Sequence, residues 1–78
     1  MARIRSLSRA QSNVTVHPTE VDCTYQTVVA KDGTKYLQLT TYGSDQRKSK
    51  PKPSQTIQMD LVTAEKLLKI IESTFSTR

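Results

Sequence analysis

The sequence predicts a small α+β domain, in which an antiparallel sheet of three to four strands carries one C-terminal helix packed on one face. Three observations predict it: residues 20–42 alternate in polarity around a turn signal, residues 54–59 alternate again, and an amphipathic stretch follows. A chain of 78 residues forms one domain and buries only about 60% of the surface that its unfolded form exposes. Because so small a core is marginal, we also expect the domain to form a homodimer.

The first 13 residues, MARIRSLSRAQSN, contain serines and arginines without a strand-like or helical period. This composition predicts a flexible basic arm over 1–13, followed by a single ββββα-type domain over 14–78 that begins with a short strand at 14–16. No apolar run reaches the length of a signal-peptide core or of a membrane-spanning helix. A single cysteine, Cys23, fits a reducing compartment. We therefore expect a cytoplasmic protein without a membrane partner.

The next two elements are predicted to be paired strands. Residues 20–30 and 35–42 are rich in β-branched and aromatic residues and alternate in polarity. Asp32 and Gly33 stand between them, and Asp-Gly is typical of a two-residue type I′ turn, whose central residues both need positive φ. A β-hairpin closed by a two-residue turn is the prediction.

That turn would set the register between the two strands and place Val29 beside Tyr36. One face of the hairpin would then collect all three tyrosines of the protein: Tyr25, Tyr36 and Tyr42. A slip of one residue in the turn would send Tyr36 and Tyr42 to the other face, because side chains alternate along a strand. The composition of each sheet face therefore depends on the turn.

The last strand and the helix are predicted from residues 54–75. Residues 54–59 alternate, and Asp60 is a suitable N-cap for the amphipathic stretch that follows. Apolar residues recur there at spacings of three and four, at Leu61, Ala64, Leu68, Ile71 and Phe75, with Leu67 and Ile70 beside them. A stripe this wide is expected to cover the sheet, bury Leu68 and Ile71, and still leave apolar area for a second subunit.

The positive charge of the protein is concentrated in two segments. The net charge is +5, and the arm contributes +3 through Arg3, Arg5 and Arg9. The predicted basic loop at 43–53 contributes another +3, from four basic residues and Asp45, while the remaining residues sum to −1. Localised charge of this kind is typical of proteins that bind a polyanion.

The sequence carries no recognisable catalytic or cofactor motif. Two glycines, Gly33 and Gly43, are too few for a phosphate-binding loop, and the acidic residues are dispersed rather than paired for acid–base chemistry. Cys23 and His17 are the only possible nucleophile and base, and they have no third group to orient them. His17 also lacks companions at metal-ligand spacing. We expect a non-enzyme with no cofactor and no metal.

Tyrosines beside positive charge predict binding of single-stranded DNA or RNA, because bases stack on the rings while basic side chains contact the phosphates. The predicted nucleic-acid-binding residues are Tyr25, Tyr36, Gln38, Tyr42, Arg47, Lys48, Lys50 and Lys52. An alternative is that the tyrosines only pack within the sheet or a dimer. A second alternative, from another class, is a phage, plasmid or defence-system accessory protein that docks on an acidic protein partner.

The segments GTKYLQL at 33–39 and SQTIQMD at 54–60 resemble strands of the Whirly, Pur-alpha and positive-cofactor-four group of single-strand-binding regulators. The resemblance implies a homodimer formed through the C-terminal helix and a role in transcription or genome maintenance. It also implies nucleic-acid binding on a curved sheet by Tyr25, Tyr36, Gln38, Tyr42, Arg47 and Lys48. Pro51 and Pro53 depart from the pattern of the group, which has glycine just before the last strand.

Overall fold

The computed structural model describes residues 1–43 and 52–76. These residues form four strands and one helix, which confirms the predicted α+β fold with a C-terminal helix. In chain order, the elements are β1 (Ala2–Arg3), β2 (Cys23–Val29), β3 (Lys35–Tyr42), β4 (Pro53–Met59) and α1 (Leu61–Thr74).

The sheet is mixed rather than wholly antiparallel. Its strand order is β1-β4-β3-β2, and β1 runs parallel to β4 while the other neighbours are antiparallel. The pairing of Ala2 with Ile57 and Arg3 with Gln58 continues into a hydrogen bond of 2.8 Å from the Ile4 amide to the Gln58 carbonyl. The start of the predicted flexible arm is therefore a strand. A two-residue strand is too short to produce a period in the sequence, so the prediction missed it.

The strand predicted at 14–16 is not formed, and the side chains of residues 14–16 are exposed. Val14 and Val16 have strand propensity, but no strand within residues 1–43 and 52–76 lies beside them to pair with their backbone groups. Intrinsic preference for a strand is weak compared with the contacts that a sheet supplies. The fourth strand of the predicted sheet is thus β1, at the other end of the arm.

The β2–β3 turn differs from the predicted one. Ala30 and Thr34 close the loop through a bond of 2.8 Å, and the Gly33 amide donates to the Ala30 carbonyl at 2.9 Å. Among the described residues only Gly33 has positive φ, at +89°, so Asp32 does not adopt the conformation that a type I′ turn requires. This is a three-residue loop, a type I turn followed by a left-handed glycine. The Asp32 carboxylate supports it by accepting from the Thr34 amide at 3.0 Å.

The longer loop shifts the hairpin register by one residue. Tyr36 pairs with Val28 instead of Val29, and Tyr25 pairs with Leu39. Since paired residues share a face, Tyr25 lies on the opposite side of the sheet from Tyr36. The prediction that all three tyrosines share one face is wrong, and the extra loop residue is the cause.

Strands β3 and β4 pair from Leu37↔Met59 to Thr41↔Gln55, and the register then shifts between Thr41 and Tyr42. A bond of 3.0 Å from the Gly43 amide to the Lys52 carbonyl extends the pairing beyond this irregularity. These pairs define two surfaces. The helix-side face carries Tyr25, Leu37, Leu39, Ile57 and Met59, and the opposite surface is called the polar face below.

Helix α1 begins as predicted. Asp60 is its N-cap, and the carboxylate accepts from the Thr63 amide at 2.9 Å. This hydrogen bond holds the pKa of Asp60 below its ordinary value of 3.8, and the nearby Arg3 charge adds to the effect. The helix ends at Phe75, whose amide donates to the Ile71 carbonyl at 3.1 Å.

The helix covers little of the sheet. Met59 is the only buried apolar residue among the described residues, and Thr40 and Thr63 are the only others that are buried. Leu68 and Ile71, which were expected in the core, keep 58% and 45% of their surface exposed. The reason is geometric: within the chain, the helix meets the sheet through the side that carries Thr63 and Leu67, so the rest of its apolar stripe faces outward.

Replacing Gly33 with alanine should destabilise the hairpin. No atom of the described residues lies within 4 Å of the position that a Cβ would take, so the penalty comes from the left-handed backbone rather than from a clash. We expect Gly33→Ala to lower the free energy of unfolding by about 1–2 kcal/mol and Gly33→Asn by less, since asparagine tolerates this conformation better. Urea unfolding measures both values. Equal stability of Gly33→Ala and the wild type would contradict the loop conformation.

The Asp60 cap should make helix stability depend on pH. Because the folded-state pKa is lowered, the stabilisation is fully present above about pH 4 and is lost as the pH falls through the folded-state pKa. Asp60→Asn keeps the acceptor but removes this titration, whereas Asp60→Ala removes the cap at every pH. Circular dichroism at 222 nm, followed through an acid titration, should show a smaller acid loss for Asp60→Asn than for wild type. Identical profiles would contradict the role of the carboxylate.

Candidate nucleic-acid interface

The outward residues of β3 form the centre of the polar face. In order along the strand they are Tyr36, Gln38, Thr40 and Tyr42. Two aromatic residues therefore flank an amide and a hydroxyl on one surface. The backbone positions of Tyr36 and Tyr42 are about 20 Å apart along the strand. Thr40 is buried beneath its neighbours, while the other three are half-buried. Tyr36 and Tyr42 lie on the same face because they are six residues apart on one strand, where side chains alternate between the faces.

A row of glutamines crosses the sheet next to this centre. Gln26, Gln38 and Gln58 occupy matching positions on β2, β3 and β4. The Gln58 Nε2 donates to the Gln38 Oε1 at 2.8 Å, and the Gln38 Nε2 donates to the Thr40 Oγ1 at 3.4 Å. These bonds hold the amide groups in fixed orientations on the surface. Amides held in this way are suited to reading hydrogen-bonding groups of a ligand.

A row of threonines runs parallel to the glutamines. Thr24, Thr40 and Thr56 pair across β2, β3 and β4, and the Thr40 and Thr56 hydroxyls are 3.5 Å apart. The Thr24 hydroxyl lies 3.1 Å from the Tyr42 hydroxyl, which positions the Tyr42 ring against β2. The sheet surface between the two tyrosines is thus continuously polar.

Arg3 supplies positive charge at the edge of the polar face. Its guanidinium carbon lies 5.5 Å from the centre of the Tyr36 ring, within cation–π range, and its Nη1 donates to the Tyr36 hydroxyl at 3.3 Å. Strand β1 places Arg3 there, because Arg3 pairs with Gln58 on the adjacent strand. A groove of about 850 Å³ lined by Arg3, Ile4, Arg5, Ser6, Tyr36 and Asp60 opens at this edge.

The structure brings together three of the residues predicted to bind nucleic acid: Tyr36, Gln38 and Tyr42. Tyr25 is on the helix-side face, where 79% of its surface is exposed. Lys52 directly precedes β4 and has an exposed side chain. Arg47, Lys48 and Lys50, from the predicted basic loop at 43–53, lie outside the described residues.

Arg3 is the residue that sequence reasoning missed. It was assigned to a flexible arm because the first 13 residues have no period. The short Ala2–Arg3 strand depends on a partner more than 50 residues away, so no local pattern reports it. The only signal in the sequence was the charge of the arm itself.

Cys23 and His17, the possible nucleophile and base, each contact a nearby residue and not one another. The His17 Nδ1 accepts from the Thr19 amide at 3.2 Å, and the exposed Cys23 thiol contacts the Thr24 carbonyl at 3.6 Å. In residues 1–43 and 52–76, no three His, Cys, Asp or Glu side chains gather in a way that would hold a metal ion. Nor does this part of the chain contain a helix long and apolar enough to cross a bilayer.

The chain was compared with protein families, curated proteins and solved structures. No family model matches it, and no significantly similar curated protein or solved structure was found.

Proposed function

We propose that this protein binds single-stranded DNA or RNA on its polar face, without catalysing a reaction, in the regulation of transcription or genome maintenance. The observation that carries the proposal is the alignment of Tyr36, Gln38 and Tyr42 on the outer surface of β3, with Arg3 at its edge. Stacking surfaces, hydrogen-bonding groups and positive charge are the three components that such binding needs. The polar face carries all three.

The tyrosines supply the stacking component. Each base that stacks on an aromatic side chain contributes about 1–3 kcal/mol, and any base can do so because every base has a flat face. The separation of about 20 Å between Tyr36 and Tyr42 is comparable to the length of roughly six stacked nucleotides at 3.4 Å each. A strand lying along β3 would therefore contact both rings and pass over Gln38 and Thr40 between them.

Charge supplies the second component. Arg3 and Arg5 line the groove beside Tyr36, and the net charge of +5 attracts a polyanion from a distance. The Arg3 guanidinium lies over the Tyr36 ring, 5.5 Å from its centre, so a phosphate of a strand bound at this ring would be close to its charge. The sequence places four further basic residues in the 43–53 segment, and they contribute to the positive charge that attracts a polyanion.

Matched tyrosine variants test the stacking component. Tyr36→Leu and Tyr42→Leu remove a ring but keep apolar bulk, and each should weaken binding by about fivefold to 100-fold. Tyr25→Leu makes the same replacement on the helix-side face and should leave affinity within about twofold of wild type. Fluorescence anisotropy with a labelled 20-nucleotide strand measures all three. Equal losses for Tyr25→Leu and Tyr36→Leu would exclude the polar face as the binding surface.

Salt dependence tests the charge component. For single strands, the logarithm of affinity falls with the logarithm of salt concentration by about 0.7 for each phosphate neutralised. Arg3→Gln should reduce the steepness of this dependence by about 0.7, whereas Tyr36→Leu should lower affinity without changing the slope. Titrations at three or more salt concentrations give the slopes. Absence of binding by the wild-type protein even at low salt would end the proposal.

A protein partner is the second candidate function, and the outer edge of β2 is the observation that favours it. Among the residues that the structure describes, strand β2 has a strand neighbour on one side only, and most of its own residues are exposed. An extended segment of an acidic protein could add to that edge. Material that copurifies with the protein distinguishes the two functions: absorbance at 260 nm that nuclease removes supports nucleic acid, whereas a stoichiometric acidic protein supports the alternative.

A further inference from the structure

Two grooves meet at the end of the polar face where β3 begins. The first is the cationic groove, with a volume of about 850 Å³, which Arg3 and Arg5 line. The second is the apolar groove, which has a volume of about 560 Å³ and lies between β3 and the first turn of α1. Tyr36 and Asp60 line both grooves, so the two are neighbours with a shared wall. The place where they meet is called the groove junction below.

The apolar groove suits a flat organic group. Leu37 and Met59 line it from the sheet and Leu61 from the helix, and its walls are almost entirely apolar. Lys35 also lines it and adds a hydrogen-bond donor. Its volume of about 560 Å³ lies within the roughly 300–1,000 Å³ of pockets that hold small ligands between apolar walls and a few polar groups. A nucleobase, with apolar faces and polar edges, has the matching chemistry.

The cationic groove suits a phosphate. Arg3 and Arg5 bring two guanidinium groups to it, and Ser6 adds a hydroxyl. Arg3 is held there by the pairing of β1 with β4 and by the bond of 3.3 Å from its Nη1 to the Tyr36 hydroxyl. Guanidinium groups bind phosphate oxygens through paired, charge-assisted hydrogen bonds. Asp60 opposes them with one negative charge and already caps α1, so the described lining keeps a net positive charge.

The position of the groove junction indicates the end of a strand rather than its middle. Tyr36 is the second residue of β3, and Asp60 stands between β4 and α1. Beyond them lies the first turn of the helix, where Leu61 and Val62 are exposed by 68% and 75%. Apolar side chains cannot replace the water and counterions that surround further phosphates. A strand lying along β3 therefore presents its last nucleotide at the groove junction.

We propose that the groove junction binds the terminal nucleotide of a single strand that carries a phosphate at its end. The base lies in the apolar groove and the phosphate beside Arg3 and Arg5. This inference rests on the proposed function, because the rest of the strand lies on the polar face. A terminal phosphate carries a charge of about −1.5 to −2 at neutral pH, whereas a phosphate within a strand carries about −1. Two guanidinium groups match the larger charge.

Short strands with different ends test the phosphate site. A length of about eight nucleotides covers β3 and leaves one end at the groove junction, because the two tyrosines span roughly six nucleotides. Four strands with a fluorescent label on a central base are compared by anisotropy. One is unphosphorylated, one carries a 5′ phosphate, one carries a 3′ phosphate, and one is unphosphorylated but a nucleotide longer. The longer strand has as many phosphates as the phosphorylated ones, so it controls for charge.

At least one phosphorylated strand should bind about fivefold or more tightly than the longer strand. The end that gives this advantage also reports the direction in which the strand lies along β3. Equal affinities of the phosphorylated strands and the longer strand would overturn this inference and leave the proposed function standing. Absence of binding by all four strands would overturn both.

A pair of arginine variants locates the phosphate. Arg5→Gln should bring the advantage of the phosphorylated strand below about twofold. Arg9→Gln removes the same charge from a residue that lines neither groove, and it should preserve the advantage. Because the advantage is a ratio measured within each variant, a general loss of affinity cancels. Equal ratios in the two variants would overturn the placement of the phosphate.

A pair of helix variants locates the base. Ala64 lines the apolar groove, so Ala64→Leu fills it, whereas Glu65→Leu adds the same side chain at an exposed position outside it. The probe is the phosphorylated strand with or without its terminal base. Removing this base should weaken binding about fivefold or more in the wild type and in Glu65→Leu, but less than about twofold in Ala64→Leu. Equal losses in the two variants would overturn the placement of the base.

Discussion

The left-handed conformation of Gly33 is the constraint on which the chemistry of both sheet faces depends. It completes a three-residue loop, and this loop aligns β2 with β3 so that Tyr36 lies opposite Val28. One residue fewer in the loop would exchange the positions of Tyr25 and its neighbours relative to β3. The distribution of the β2 side chains, Tyr25 among them, between the polar face and the helix-side face is therefore a consequence of a backbone torsion in the loop.

The sequence was informative where local interactions determine the structure. The bounds of β3 and the Asp60 cap were predicted because alternation and capping act within a few residues. The hairpin register was not, since Asp-Gly is compatible with two turns that differ in the φ of Asp32. Strand β1 was missed for the opposite reason, because its pairing with β4 is purely tertiary.

The same distinction applies to the candidate site. Tyr36, Gln38 and Tyr42 share a face because they are two residues apart or a multiple of two along one strand, and the sequence alone establishes that relation. Assigning Tyr25 to that face required the register between β2 and β3, and the predicted register was wrong. The positive charge at the edge of the polar face depends on the position of Arg3, and that position is known only from the fold.

The two edges of the sheet are not equivalent. The outer side of β4 is covered by β1 at one end and begins with Pro53, which cannot donate a backbone hydrogen bond, at the other. Between Cys23 and Val29, the outer side of β2 has neither a covering strand nor a proline among the described residues. Among the described residues, the β1 side of the sheet ends in a strand of two residues, whereas the β2 side presents seven consecutive residues. An added strand would therefore find its longest run of backbone partners along β2.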